Sequence, residues 1–218
     1  MKEFKHLPGL DLIRVFGILV VVFYHYQVET AVRGLCPADF LPAMEPLVQV
    51  AVYTMTLLSG SCLCWQEKSR SWSMKRYLWG RFLAIYPLFW LCFFPIFFYS
   101  DIICGNNEGV APWKLLLSIV GVDGYFQSFT PTFYKIGEWY LGCILFLYAV
   151  FPVLWRMIRR RGVVLAAVGA LFAWLACCFV ENPGQLYPTL IGQLPLFFMG
   201  IFLGGCLPSL WIPGILAG

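Results

Sequence analysis

Residues 9–29 read GLDLIRVFGILVVVFYHYQVE, and this stretch determines the fold class that the sequence predicts. A helix needs about 20 mostly apolar residues to cross the hydrocarbon core of a bilayer, and this stretch has that length. It carries a cation, Arg14, near one end and an imidazole, His25, near the other. Because an unpaired cation or imidazole is costly in hydrocarbon, both residues are candidates for function.

The composition of the whole chain agrees with a membrane protein. Of the 218 residues, 61% are hydrophobic and 12% are charged, and the mean hydropathy is +0.78, whereas soluble domains have roughly 25% charged residues. The apolar runs are too long and too uniform for the alternating strands of a barrel. The sequence therefore predicts an all-α, polytopic transmembrane helical bundle in a lipid bilayer. The net charge of +4 gives no indication of nucleic-acid binding.

About six segments are long and apolar enough to span a bilayer. They are predicted at residues 10–28, 47–66, 77–99, 136–155, 163–180 and 187–206. Between the third and fourth segments, the apolar run 115–122 is too short to cross and is predicted to be re-entrant or interfacial. We expect one membrane-embedded domain over residues 1–218, incomplete at its carboxyl end, because residues 208–218 read like the opening of another apolar segment.

The positions of Lys and Arg predict the orientation of the chain. Basic residues gather in the links 68–76 and 156–161, and Lys2 and Lys5 precede the first span. Short loops rich in Lys and Arg stay in the cytoplasm. The amino terminus and both links are therefore predicted to be cytoplasmic in an inner or plasma membrane. The predicted outer loops are residues 29–46, 100–135 and 181–186.

Arg14 and His25 are predicted to lie on one face of the first helix. They are 11 residues apart, which is three turns at about 100° per residue and about 16 Å along the axis. Two interpretations stay open from the residues alone. Either Arg14 extends to the headgroups and His25 lies in the interface, or both take part in chemistry. Asp11, three residues earlier, can pair with Arg14 in either case.

Further motifs accompany Arg14 and His25 in a characteristic order. They are LLSG (57–60), KRYLWGRFLAIYPLFW (75–90), GEWYLGCILFLYAVFPVL (137–154) and QLPLFFMGIFLG (193–204). With these motifs the chain resembles acyltransferase family 3, the bacterial membrane-bound O-acyltransferases, over nearly all of its length. The most specific element is an arginine followed, after ten intervening residues, by a histidine in the first span.

The resemblance implies a fold of about ten membrane helices, of which this chain would hold only part. It implies transfer of an acyl group, commonly acetyl from cytoplasmic acetyl-CoA, to the hydroxyl of an extracytoplasmic acceptor, often a carbohydrate of the cell envelope. His25 matches the essential histidine of the family and Arg14 matches the essential arginine. No tightly bound cofactor is expected, since acetyl-CoA is a donor substrate.

Four basic residues form the predicted donor site. Guanidinium groups bind phosphates bidentately, and we expect Arg14, Lys75, Arg76 and Arg81 to converge at the inner boundary. The family has a second arginine three residues after the position of Arg81, but this chain has Ala84 there. Either Lys75 and Arg76 supply the missing charge or donor binding is weakened. The alternative is that such residues only follow the positive-inside rule.

His25 is predicted to be the general base of the transfer. Imidazole changes its protonation state near neutral pH, so it can take the proton of the acceptor hydroxyl. An acyl-histidine intermediate is the less favoured variant. No metal site is predicted, because most of the nine cysteines lie inside apolar segments, where a thiol is usually a small buried hydrophobic group.

Glu138 is predicted to lie at the outer end of the fourth span with Trp139, at a depth similar to that of Tyr26. An acid at the head of an apolar span is costly without a partner, so Glu138 is predicted to bind the acceptor or to orient His25. Trp139 and Tyr26 are predicted to pack on the acceptor sugar. For these aromatic residues, an ordinary interfacial belt is the alternative.

Two other classes of protein remain compatible with the residues. In a transporter or flippase, Arg14, His25 and Glu138 would form a proton or anion path, since ionisable groups inside a membrane mark such routes as well. Such a protein would not depend on CoA. In a scaffold without catalysis, His25→Ala would change only stability.

Overall fold

The computed structural model describes residues 8–35, 37–68, 72–106, 109–126, 129–161, 169, 171 and 189–210. All regular secondary structure in these ranges is helical, and they contain no strand. The predicted span 163–180 lies outside the described residues except for residues 169 and 171. Lys2, Lys5 and the predicted loop 181–186 lie outside them as well.

Six α-helices have both bounds in the described ranges, and residues 169 and 171 are helical as well. The six helices are α1 (Pro8–Val32), α2 (Leu41–Lys68), α3 (Met74–Phe97), α4 (Leu115–Val120), α5 (Trp139–Arg161) and α6 (Leu190–Leu210). A π-helical turn, Phe98–Ile103, extends α3, and short 3-10 turns lie at Ala38–Phe40, Pro112–Lys114 and Asp123–Tyr125.

Four of these helices, α1, α2, α3 and α5, are long and apolar enough to cross a membrane, and Leu190–Gly205 forms a shorter apolar helix. The predicted all-helical membrane bundle is confirmed. Helix α4 has six residues and is about 9 Å long, so the run at 115–122 is too short to cross, as the sequence predicted.

The chain divides into two compact units. Unit one consists of Met1–Arg70, Met157–Tyr187 and Ile191–Gly218, and contains α1, α2 and nearly all of α6. Unit two consists of Ser71–Arg156 and Pro188–Leu190, and contains α3, α4 and most of α5. Each unit is described by itself below, and the single domain expected from the sequence stays a prediction.

In unit one, α1 packs on α2 through small and branched apolar side chains. Val20 of α1 forms a buried cluster with Val48 and Ala51 of α2. A Cβ on Gly17 would lie 3.3 Å from Cε of Met55, so the absence of a side chain there lets the two helices approach closely. This contact fixes which face of α1 is turned toward α2.

Helices α2 and α6 of unit one approach even more closely. A Cβ on Gly60 would overlap the carbonyl oxygen of Phe197, and one on Gly200 would overlap the carbonyl oxygen of Leu57. The hydroxyl of Ser61 donates to the carbonyl oxygen of Gly200 at 2.8 Å. Small residues allow this backbone approach between membrane helices. The glycine of the LLSG motif therefore serves helix packing.

In unit two, aromatic residues hold the short helix α4 against α3. Helix C-termini leave carbonyl groups without intrahelical partners. The indole N–H of Trp90 donates to the carbonyl oxygen of Ile119 at 2.9 Å, and the hydroxyl of Tyr86 donates to that of Val120 at 3.0 Å. Two side chains of α3 thus satisfy the carbonyl end of α4.

Glycines then bring the chain from α4 onto the start of α5. Gly121 has φ +79° and ends α4 in the left-handed conformation typical of a helix C-terminus. A Cβ on Gly124 would lie 2.7 Å from the backbone nitrogen of Trp139. The turn at Asp123–Tyr125 is therefore packed directly against the first residues of α5.

Candidate active site

Arg14 lies in the second turn of α1, and two groups hold its guanidinium. Nη1 donates to Oδ1 of Asp11 at 3.1 Å, and Nη2 donates to Sγ of Cys62 on α2 at 2.9 Å. The side chain is 39% exposed. The pairing with Asp11 confirms the i−3 prediction. The contact with Cys62 was not predicted, because a thiol inside an apolar segment is usually a small buried hydrophobic group.

His25 lies three turns further along α1, and its side chain is exposed. Its ring packs edge-on against the ring of Tyr24, with centroids 5.8 Å apart. Tyr26, the next residue, is 64% exposed. Within the described residues of unit one, the imidazole is therefore open to an approaching molecule.

The other predicted donor residues lie at the start of α3 in unit two. Lys75 is exposed, and Arg76 and Arg81 are half-buried. The guanidinium of Arg81 lies over the ring of Tyr148 on α5, 5.6 Å from its centroid, a distance typical of cation–π contact. Ala84 is exposed. Arg14 belongs to unit one, so the convergence of all four basic residues stays a prediction.

Glu138 is buried, with 2% of its surface exposed, immediately before α5. Its Oε1 accepts the backbone N–H of Lys135 and its Oε2 that of Ile136, both at 3.2 Å. Its carbonyl oxygen accepts the N–H of Gly142 at 2.9 Å, so Glu138 occupies the N-cap position of α5. The carboxylate thus has structural partners, and the role of Glu138 and Trp139 in acceptor binding stays a prediction.

Asp123 is a second buried carboxyl group of this region, and the sequence did not single it out. It is fully buried, and its Oδ2 accepts the hydroxyl of Ser118 at 2.7 Å. Burial raises the pKa of Asp123, against the lowering effect of its hydrogen bonds. Burial, followed by the charge of Asp123, raises the pKa of Glu138. Gly121 and Gly124 on either side of Asp123 were the available signal, since glycine permits close backbone approach.

A buried ion pair connects the segment before α5 to the end of α3. Nζ of Lys135 lies 3.0 Å from Oδ2 of Asp101, whose side chain is 2% exposed. The same ammonium group donates to Oγ of Ser100 at 3.3 Å. Because an unpaired buried charge is strongly destabilising, this pair fixes the loop that carries Glu138. In the described ranges, no group of three or more His, Cys, Asp or Glu residues could hold a metal ion.

The stability of unit two is expected to fall as the pH rises above about 4. A carboxyl group with a raised pKa binds its proton more tightly in the folded state. Its contribution to stability is therefore present below its ordinary value, 3.8 for Asp123, and is lost as the pH rises through the raised pKa. Asp123→Asn keeps an acceptor for Ser118 and should weaken this pH dependence. Thermal unfolding in nanodiscs across a pH series measures it, and an unchanged dependence would contradict the assignment.

The residues described above lie within the part of the chain that matches a known protein family. A family model described as an acyltransferase domain, that of acyltransferase family 3, matches residues 7–207. No curated protein matches the chain, and no solved structure matches it. The matched range contains both residues of α1 singled out above and the basic start of α3.

Proposed function

Because the chain belongs to acyltransferase family 3 and is a membrane acyltransferase, we propose that it transfers an acyl group, such as acetyl, from cytoplasmic acyl-CoA to a hydroxyl of an extracytoplasmic carbohydrate. In this proposal His25 is the catalytic base, and Arg14 binds the donor. Family membership favours this enzyme over the transporter and scaffold alternatives, since neither of those transfers an acyl group.

The observation that supports the proposal most directly is the arrangement of α1. One helix carries a guanidinium held by Asp11 and Cys62 and, three turns away, an exposed imidazole. A cation fixed by its neighbours is prepared to bind an anionic group without further ordering. At about 16 Å along the axis, Arg14 is too far from His25 to act on the same atom. Arg14 is therefore assigned to the donor phosphates and His25 to the acceptor hydroxyl.

The proposed transfer needs one base and one leaving group. His25 takes the proton of the acceptor hydroxyl while the oxygen attacks the thioester carbonyl carbon. The resulting tetrahedral oxyanion collapses, and the carbon–sulfur bond breaks. The departing CoA thiolate takes the proton from the imidazolium, so the products are an ester and free CoA, and His25 returns to its neutral form.

In this proposal, the remaining predicted residues bind either the donor or the acceptor, according to their charge and position. Lys75, Arg76 and Arg81 contribute positive charge for the phosphates of CoA at the start of α3. Glu138 and Trp139 lie at the opposite end of unit two from those cations, at the start of α5, which suits contact with an acceptor at the outer face. Tyr26 offers an exposed aromatic ring beside His25.

The proposed donor and the proposed direction of acyl transfer across the membrane are tested in proteoliposomes. The chain carries an amino-terminal tag, its orientation is established by protease access to the tag, and a glycan acceptor is trapped on the face opposite the tag. Acetyl-CoA labelled in the acetyl group is then supplied on the tag side. We expect labelled glycan. Labelling that requires acetyl-CoA on the face opposite the tag would overturn the proposed direction, and the absence of CoA-dependent labelling from either face would overturn the proposed donor.

A further inference from the structure

Four aromatic side chains pack together where α3 begins and α5 nears its end in unit two. Trp72, two residues before α3, lies 5.5 Å from the ring of Tyr77 and 6.5 Å from that of Trp155. Phe151 stacks on Tyr77 at 5.5 Å and on Trp155 at 6.0 Å. We call these residues, Trp72, Tyr77, Phe151 and Trp155, the aromatic cluster.

Three side chains of the cluster are buried and the fourth is partly exposed. Tyr77, Phe151 and Trp155 are buried, whereas Trp72 is half-buried. The hydroxyl of Tyr77 donates to the carbonyl oxygen of Tyr148 at 2.7 Å, which fixes the ring against α5. Trp72 thus packs on three buried aromatic rings and is itself partly exposed.

One polar group of the cluster has no acceptor within the described part of the chain. The indole Nε1 of Trp155 is buried and makes no hydrogen bond there, and Trp155 as a whole is 4% exposed. An indole nitrogen can only donate, and buried donors in folded proteins nearly always have a partner. The position therefore suits a ligand that brings an acceptor atom to this cluster.

Positive charge surrounds the same end of unit two. Lys75 and Arg76 follow Trp72 within the first turn of α3, and Arg156 follows Trp155 directly. Arg81 lies deeper, over the ring of Tyr148. An aromatic surface bordered by cations is the combination that binds nucleotides, because the base stacks on the ring while the phosphates meet the charges.

We propose that the aromatic cluster binds the adenine nucleotide of the CoA donor, with Trp72 stacking on the purine and the indole N–H of Trp155 donating to an acceptor atom of the nucleotide. Lys75 and Arg76 bind its phosphates, and the pantetheine arm extends past Arg81. This inference rests on the proposed function, in which acyl-CoA is the donor. It assigns the adenine base of the nucleotide to unit two.

Two donors that differ only in the nucleotide test the inference. Acetyl-CoA has it, and S-acetylpantetheine lacks it. KM and kcat are measured with each donor in nanodiscs for wild type, Trp72→Ala, Trp72→Phe and Trp155→Phe, with Trp79→Ala as control. Trp79 is on α3, is 59% exposed and stacks on Phe82, outside the cluster.

Loss of base stacking should raise KM for acetyl-CoA about 5- to 150-fold in Trp72→Ala and leave KM for S-acetylpantetheine unchanged. Trp72→Phe should fall between wild type and alanine, which keeps the test decisive even where the alanine variant is unfolded. Trp155→Phe, which loses the N–H together with the five-membered ring of the indole, should raise KM for acetyl-CoA about 2- to 10-fold. Trp79→Ala should leave both values unchanged.

Two outcomes would overturn the inference, and they are distinguishable. A wild type that uses neither donor overturns the proposed function and this inference with it. A wild type that uses acetyl-CoA, with folded Trp72 variants in which the ratio of the two KM values is unchanged, overturns the nucleotide site and leaves the acyltransferase activity standing.

Discussion

Acyl transfer by His25→Gln is expected to be about 10²- to 10⁴-fold slower than by wild type, the contribution typical of a general base. Glutamine is polar and similar in size, but its amide cannot take the hydroxyl proton. The KM for acetyl-CoA should stay within about twofold of wild type, because the donor is assigned to Arg14 and the start of α3. Rates of acetyl transfer in nanodiscs at saturating acceptor measure the effect.

A matched control separates this loss from damage to α1. Phe23 is 46% exposed on the same helix, and Phe23→Leu should transfer acetyl at the wild-type rate. His25 is exposed, so its replacement should change the free energy of unfolding by less than about 0.5 kcal/mol. A His25→Gln variant that is folded and transfers acetyl at the rate of wild type would remove His25 from the mechanism.

Gly200→Ala is expected to destabilise the protein by about 1 to 3 kcal/mol, or more where the backbone does not yield. The new Cβ would overlap the carbonyl oxygen of Leu57, which belongs to the backbone of α2. A side chain could rotate away, but a helix backbone has to shift as a whole. The loss should appear as a lower midpoint of thermal or detergent-induced unfolding.

Gly80→Ala is the control for the close packing of α2 and α6. Gly80 lies in the second turn of α3. A Cβ there would meet no atom within 4 Å. Alanine favours helix over glycine by up to about 1 kcal/mol, so this variant should be as stable as wild type or slightly more stable. Equal unfolding midpoints for Gly200→Ala and Gly80→Ala would show that α2 and α6 do not pack in this way.

The sequence predicted features that depend on length, apolarity and local spacing. Four spans, the short run at 115–122 and the pairing of Arg14 with Asp11 are confirmed, because each depends on residues close together in the chain. The resemblance to acyltransferase family 3 is confirmed by a match over residues 7–207. Such features need no knowledge of which helix faces which.

The features that the sequence did not predict depend on contacts between distant segments. Cys62 binds Arg14 across 48 positions of the chain, and Lys135 pairs with Asp101 across a loop that includes α4. In the sequence, Asp123 is an acid in a polar loop. In the structure, glycines allow that loop to pack against α5, and the carboxyl group is buried. Hydrophobic periodicity contains no information about such partners.

Transfer of labelled acetyl from acetyl-CoA to a hydroxyl acceptor by the purified chain in nanodiscs tests the central claim most directly. The acceptors are mixed envelope glycans, and the readouts are labelled ester and free CoA. We predict that both appear together, in equal amounts, and only when the acceptor is present. Release of CoA without labelled acceptor, or no release while the protein is folded and acetyl-CoA and acceptor are saturating, would contradict the claim that this chain esterifies glycan hydroxyls.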